Sequence, residues 1–221
     1  MAIVLALEGV DGAGKSSLAG SLQRLCQEYG RPCTLVGRGE ATSGPLVGKL
    51  TRLLREEPGL TPPAEVFVRL AREHQRARLA AAVASGVAVL DRFVLSLLAL
   101  VRLNGLDLYP FLHLLRDVAS RAHLHATVLV RCPFEVAERR ARDRGGAGSE
   151  RHGAPLRRRL GAFLEDDFES GTLTGQQWPV DNAGERGSAE AQLRDYLLPY
   201  LRTGRPLRPA SSPDLAAPPS G

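Results

Sequence analysis

A chain of 221 residues, 43% of them hydrophobic, suffices for one substantial core and favours a single domain. No uncharged run approaches a membrane span and no basic start leads into an apolar stretch and cleavage site, so membrane insertion and export are not expected and a cytoplasmic setting is. The net charge of +5 is carried almost wholly by Arg, spread over helices that also hold Glu and Asp and without an aromatic stacking platform, so no nucleic-acid partner is expected either.

The first predicted element is the apolar run Ile3 to Leu7, of buried-strand type. It leads into Gly9-Val10-Asp11-Gly12-Ala13-Gly14-Lys15-Ser16, which matches G-x-x-x-x-G-K-[ST], and Leu18, Leu22 and Leu25 then recur at helical spacing. In such a strand-loop-helix unit the glycines let backbone N–H groups curl around a phosphate, the Lys reaches the outer phosphates and the hydroxyl meets Mg²⁺. Gly9, Asp11, Gly12, Ala13, Gly14, Lys15, Ser16 and Ser17 are therefore the candidate residues for ATP, with Ser16 toward the metal. The alternative is a glycine-rich turn that binds nothing. Lysine usage argues against it: only Lys15 and Lys49 are lysines among 29 basic residues, yet one stands where a compact ammonium must sit among phosphates.

Gly30-Arg31-Pro32 breaks the first helix, and Cys33 to Val36 reads as a second strand. The loop after it carries Arg38 at a strand's carboxyl end, where it is either a ligand or a solvated loop arginine. A helical stretch from Leu46 to Leu54 precedes a longer helix from Ala64 to Ser85, with Phe67 among its apolar positions and Arg72 on its charged side. Val87 to Leu90 is a third strand that delivers Asp91-Arg92 beside the phosphate loop, as a metal-orienting acid and its neighbour or as a structural ion pair. Apolar Phe93 to Leu103 and then Pro110 to Ala122 read as helices.

His125 to Arg131 reads as a fourth strand, with Pro133 starting a helix that carries Arg139, Arg140, Arg142 and Arg144. Gly145 to Ser149 interrupts it before a second basic helix from about Pro155 into Phe168. Two helices about an arginine-lined hinge suit a lid that closes over a triphosphate; the alternative is an exposed basic hairpin. Trp178 to Asn182 gives a last strand and turn, Ser188 to Leu201 a terminal helix, and Thr203 to Gly221 a Pro, Ser and Ala-rich tail expected to be disordered. Cys26, Cys33 and Cys132 lack metal-ligand spacing, and His113, His123, His125 and His152 read as surface or capping residues. The alternation implies an α/β fold of three layers, α/β/α, with a five-stranded parallel sheet and a helical lid.

These residues resemble the thymidylate kinase family of P-loop nucleoside monophosphate kinases over about residues 2 to 201, through Leu7 to Ser17, Arg38, Asp91-Arg92-Phe93 and the lid-like Arg139 to Arg144. The resemblance implies a kinase domain over residues 1–202 with its lid at about 139–158, ahead of a tail at 203–221. It implies ATP and Mg²⁺ as cofactors, phosphoryl transfer to a small-molecule nucleotide, nominally dTMP to dTDP, and a homodimer packed through the helix around Phe93 to Leu103. By the same resemblance Lys15, Asp91, Arg92, Arg140 and Arg144 carry catalysis, Ser16 and Asp91 meet the metal, and Asp11, Arg38, Phe67, Arg72 and Arg92 hold the acceptor. No Arg lies within Val10-Asp11-Gly12-Ala13, so the lid must supply the catalytic arginine.

The departures concern the base. Phe93 replaces a Tyr, Leu100-Val101 stands where a Tyr-Gln pair is usual, and the Arg expected four residues after Phe67 is Ala71, with Arg72 about 100° further round the helix. Apolar side chains cannot make the hydrogen bonds that reject wrong bases. Two other readings therefore stand beside the first. One is a P-loop kinase acting on a nucleoside or other small acceptor, with Leu97, Leu100 and Val101 lining a different pocket; the other is a nucleotide-binding regulatory protein with weak or no catalysis. A guanine-nucleotide switch is disfavoured by the lack of an Asn-Lys-x-Asp segment.

Overall fold

The computed structural model describes residues 3–36, 86–103, 105, 109, 112, 113, 116, 124–143, 154–171, 175–184 and 187–203. Arg38, Phe67, Arg72 and Arg144 lie outside them, as do the helices read over 46–54 and 64–85, most of 110–122, the 145–149 hinge and the tail from 204.

Five strands form one parallel sheet: β1 (Ile3–Glu8), β2 (Cys33–Val36), β3 (Val87–Asp91), β4 (Leu124–Arg131) and β5 (Gln176–Asp181), in the order β2-β3-β1-β4-β5. The helices among the described residues are α1 (Lys15–Glu28), α2 (Val94–Leu103), α3 (Phe134–Asp143), α4 (Ala154–Glu169) and α5 (Ser188–Thr203). Period-two alternation sorts the central strands between two cores. Ile3, Leu5, Leu7, Val87, Val89, Ala126, Val128 and Val130 pack against Leu18, Leu22 and Leu25 of α1 and Leu193 and Leu197 of α5. Val4, Ala6, Ala88 and Leu90 turn the other way, onto Leu95, Leu98 and Ala99 of α2 and Leu164 and Phe168 of α4. Burial on both faces is why these strands read as unbroken apolar runs, and it gives the three-layer α/β/α arrangement expected from the sequence.

Arg102 fastens α2 to α4, with its Nη1 2.7 Å from Asp167 Oδ1 and its guanidinium 4.2 Å above the Phe163 ring. The two helices after β4 are joined by Arg157 to Glu138 at 2.6 Å and Arg158 to Glu135 at 2.9 Å. Three expectations need correcting. His125 is neither surface nor cap: it is buried in β4, where the β1–β4 register shifts between Val4 and Leu5 and the Val4 N–H donates to His125 Nδ1 at 3.1 Å. Val101 is wholly buried, so it lines no acceptor pocket; only Leu97 and Leu100 beside it are half-buried. The last strand also begins two residues earlier than read, because Gln176 and Gln177 are polar side chains on a strand at the edge of the sheet among the described residues.

Candidate active site

The site lies at the carboxyl ends of β1 and β3, where the chain leaves β1 for α1. The turn is held by backbone close to its neighbours. Gly12 has φ 89, and a Cβ there would fall 1.8 Å from the Ala137 carbonyl oxygen of α3. Gly14, at φ 99, begins α1 with no side-chain cap, and Asn182 after β5 donates its Nδ2 to the Ala13 carbonyl at 2.6 Å. The sequence reading stopped short of Asn182's role, although its place just past a strand's carboxyl end was a usable signal. Ser16 and Ser17 follow on the exposed first turn of α1, whose unpaired N–H groups and dipole suit an anion.

Lys15 folds back under this loop. It is 8% exposed, and its Nζ donates to the Gly9 carbonyl at 3.0 Å and the Val10 carbonyl at 2.8 Å, with Asp11 Oδ1 at 3.9 Å. Burial, and then the nearby charge of Arg92, push its pKa down to about 7 against the opposing pull of Asp11, Asp91 and Glu8. The sign of the consequence is fixed. Above pH 7 the free ammonium is increasingly neutral, whereas a polyphosphate favours it charged, so binding must take up protons there. Between pH 7.5 and 9, where phosphate groups are already ionised, apparent affinity for ADP is expected to fall by up to about tenfold per pH unit. Calorimetry in buffers of differing ionisation enthalpy measures the uptake directly; proton release or no exchange at pH 8 would contradict this account of Lys15.

Asp91 shares the parity of Val87 and Val89, so it emerges on the α1 side. There Lys15, Ser16 and Asp91 line one cavity of about 160 Å³ with Leu7, Ala19, Leu35 and Val89. A hydroxyl and a carboxylate beside an anion-binding turn are hard oxygen donors, which fit Mg²⁺ shared with phosphate oxygens. Arg92 emerges toward Asp11 instead. It is 5% exposed, with its Nη2 donating to Asp11 Oδ1 and its Nη1 to Ser96 Oγ at 3.4 Å. The structure thus brings together the loop, Asp91 and Arg92.

Of the arginines expected in a lid, Arg140 donates to the Asn182 carbonyl at 3.1 Å and to Cys132 Sγ at 3.7 Å, while Arg139 and Arg142 lie at or near the exposed surface of α3. Arg140 therefore braces the same Asn182 that holds the phosphate loop. Cys26 of α1 is a buried free thiol and Cys33 of β2 a half-buried one. No helix among the described residues is long and apolar enough to cross a membrane.

Comparison with known proteins agrees on family and fold. The model of the family described as thymidylate kinase matches residues 7–155. A thymidylate kinase of Xanthomonas campestris pv. campestris is 36% identical over 143 residues, 63% of this chain and 61% of that protein. A probable thymidylate kinase of Archaeoglobus fulgidus is 26% identical over 83% of this chain and 91% of its own length, and a thymidylate kinase of Mycoplasma pneumoniae is 34% identical over 65% and 70%. The chain's match thus spans about three-fifths of the Xanthomonas relative. Deoxyadenosine kinase from M. mycoides, solved with the products dCMP and dCDP, superposes at TM-score 0.60 with 15% identity, covering 89% of this chain and 100% of that one. That likeness establishes the P-loop kinase fold.

Proposed function

Because the chain belongs to the thymidylate kinase family, we propose that it transfers the terminal phosphoryl group of ATP to a nucleoside monophosphate, nominally dTMP to dTDP. One observation carries this reading: a buried Lys15, the Ser16 hydroxyl and Asp91 share a cavity at the phosphate loop, and Arg92 is bound to that loop through Asp11. In the reaction an acceptor phosphate oxygen bonds to the terminal phosphorus as the bond to the ADP oxygen breaks. There is little covalent work for side chains, so positioning and charge dominate.

The amides of Gly12 to Ser17 and Lys15 hold the β and γ phosphates. Ser16 and Asp91 would hold Mg²⁺, which neutralises phosphate charge and orients the oxygens. Arg92 and Arg38 clamp the acceptor phosphate, Phe67 and Arg72 meet its base, and lid arginines among Arg139, Arg140, Arg142 and Arg144 meet the charge of the moving group. A cytoplasmic setting and a homodimer through α2 belong to the same reading.

A screen of deoxynucleoside monophosphates and deoxynucleosides with Mg-ATP, read as ADP release, tests it. Turnover with dTMP above all other acceptors is expected. A second reading has its own support in Leu100, half-buried on α2, whose apolar side chain cannot hydrogen-bond a base edge. Release with a nucleoside hydroxyl and none with dTMP would transfer the assignment to it. ATP binding without any acceptor would leave a regulatory nucleotide binder.

A further inference from the structure

Glu8 ends β1 with its side chain wholly buried, although the phosphate-loop motif asks for no acid there. Strand parity says where it points. Val4 and Ala6 face the α2 and α4 layer, so Glu8 does too, beneath the first turn of α2. Its Oε1 accepts the Phe93 backbone N–H at 2.7 Å, and its Oε2 accepts the Ser96 hydroxyl. A carboxylate withdrawn from water requires such donors, and these two are held by backbone and by a buried helix.

The chain of contacts continues. Ser96 Oγ accepts from Arg92 Nη1 at 3.4 Å, and Arg92 Nη2 donates to Asp11 in the phosphate loop. Asp11, Arg92, Ser96 and Glu8 therefore form one continuous series running from the loop surface to the buried end of β1. The series also holds an unusual backbone. Arg92 has φ 59, the one non-glycine residue with positive φ among those described. Its own N–H is bound to the Leu7 carbonyl at 2.9 Å, and the next N–H, that of Phe93, is the one Glu8 holds. Such a conformation persists only where its surroundings fix it from several sides.

We propose that Glu8 is a positioning residue which, through Ser96, aims the Arg92 guanidinium and thereby sets affinity for the acceptor's phosphate rather than for ATP. This rests on the reading of Arg92 as an acceptor clamp. The direction of one proton is decisive. A carboxylate only accepts, so the Ser96 proton goes to Glu8 and the Ser96 oxygen is left for Arg92. A glutamine at this position can keep the Phe93 bond through its oxygen, but its amide then donates to Ser96 Oγ, competes with Arg92 and turns the Ser96 proton toward a cation. Glu8→Gln thus keeps the volume and breaks the relay. Ser96→Ala breaks it from the other side and leaves the Phe93 bond intact.

The test is steady-state kinetics of wild type, E8Q, S96A and the double variant, with dTMP and ATP varied in turn, alongside thermal melting. Each single change is expected to raise KM for the monophosphate about tenfold, to leave KM for ATP within about twofold and to leave melting cooperative. The double variant should be no worse than the poorer single one, because both act through one series. Equal shifts in both KM values, no shift in either, or multiplied effects in the double variant would overturn the proposal. A wild type active on dTMP beside unaffected variants sinks the relay alone; a wild type inactive on every monophosphate sinks the acceptor reading and the relay with it.

Discussion

Lys15→Met is expected to lower turnover at least a hundredfold, and about a thousandfold if the ammonium acts mainly on the transferring group. Methionine nearly preserves the volume of a side chain that is 8% exposed, so packing around the loop survives. What disappears is the charge, together with the donors to the Gly9 and Val10 carbonyls. Because burial already presses this amine toward neutrality, removing it relieves a desolvation penalty, and the melting temperature is expected to hold or rise slightly. Initial rates and calorimetric melting on the same preparation separate the two effects. Turnover within tenfold of wild type in a folded variant would end the role given to Lys15 in phosphoryl transfer, and loss of turnover through unfolding would show that Lys15 serves the fold instead.

Gly12→Ala is expected to be the most damaging single-methyl change in the described residues. The new Cβ meets backbone, the Ala137 carbonyl 1.8 Å away, at a φ of 89 that L side chains rarely adopt. Neither can yield cheaply: the loop would have to leave α3 or change conformation, for about 2 to 5 kcal/mol. At roughly 2 to 4 °C per kcal/mol for a chain of this size, melting should fall by about 10 °C, with nucleotide binding lost. Gly184→Ala is the control, since nothing lies within 4 Å of its would-be Cβ, and it should melt within about a degree or two of wild type. If both glycine variants melt and bind alike, the close seating of the loop on α3 is wrong.

Local signals carried the parts of the site that are local. The motif from Gly9 to Ser16 combines a turn, a helix start and a charge within eight residues, and Asp91 stands directly behind an apolar run. The central β1 and β3 were likewise legible, because burial on both faces leaves all but their last residues apolar. Contacts that close over long separations left no such trace. Glu8 follows the apolar run with nothing local to mark it, and its partners Phe93 and Ser96 stand 85 and 88 residues later. Asn182 reaches Ala13 across 169 residues, and its place just past a strand's carboxyl end marks it as near the crevice without naming that partner. His125 was misread for the reverse reason: histidine is usually half-exposed, and only the register shift between β1 and β4 gives it a buried donor to accept from.

The strand order has a consequence for how the molecule is made. β1 is made before the other four strands of the sheet, yet it occupies the middle, and its two partners begin only at Val87 and Leu124. During synthesis, an apolar segment ending in Glu8, with both backbone edges unsatisfied, must wait for more than a hundred further residues before its second neighbour exists. The nucleotide cradle is therefore assembled late, and nascent chains halted before β4 should bind holdase chaperones and lack nucleotide affinity, however complete their glycine motif.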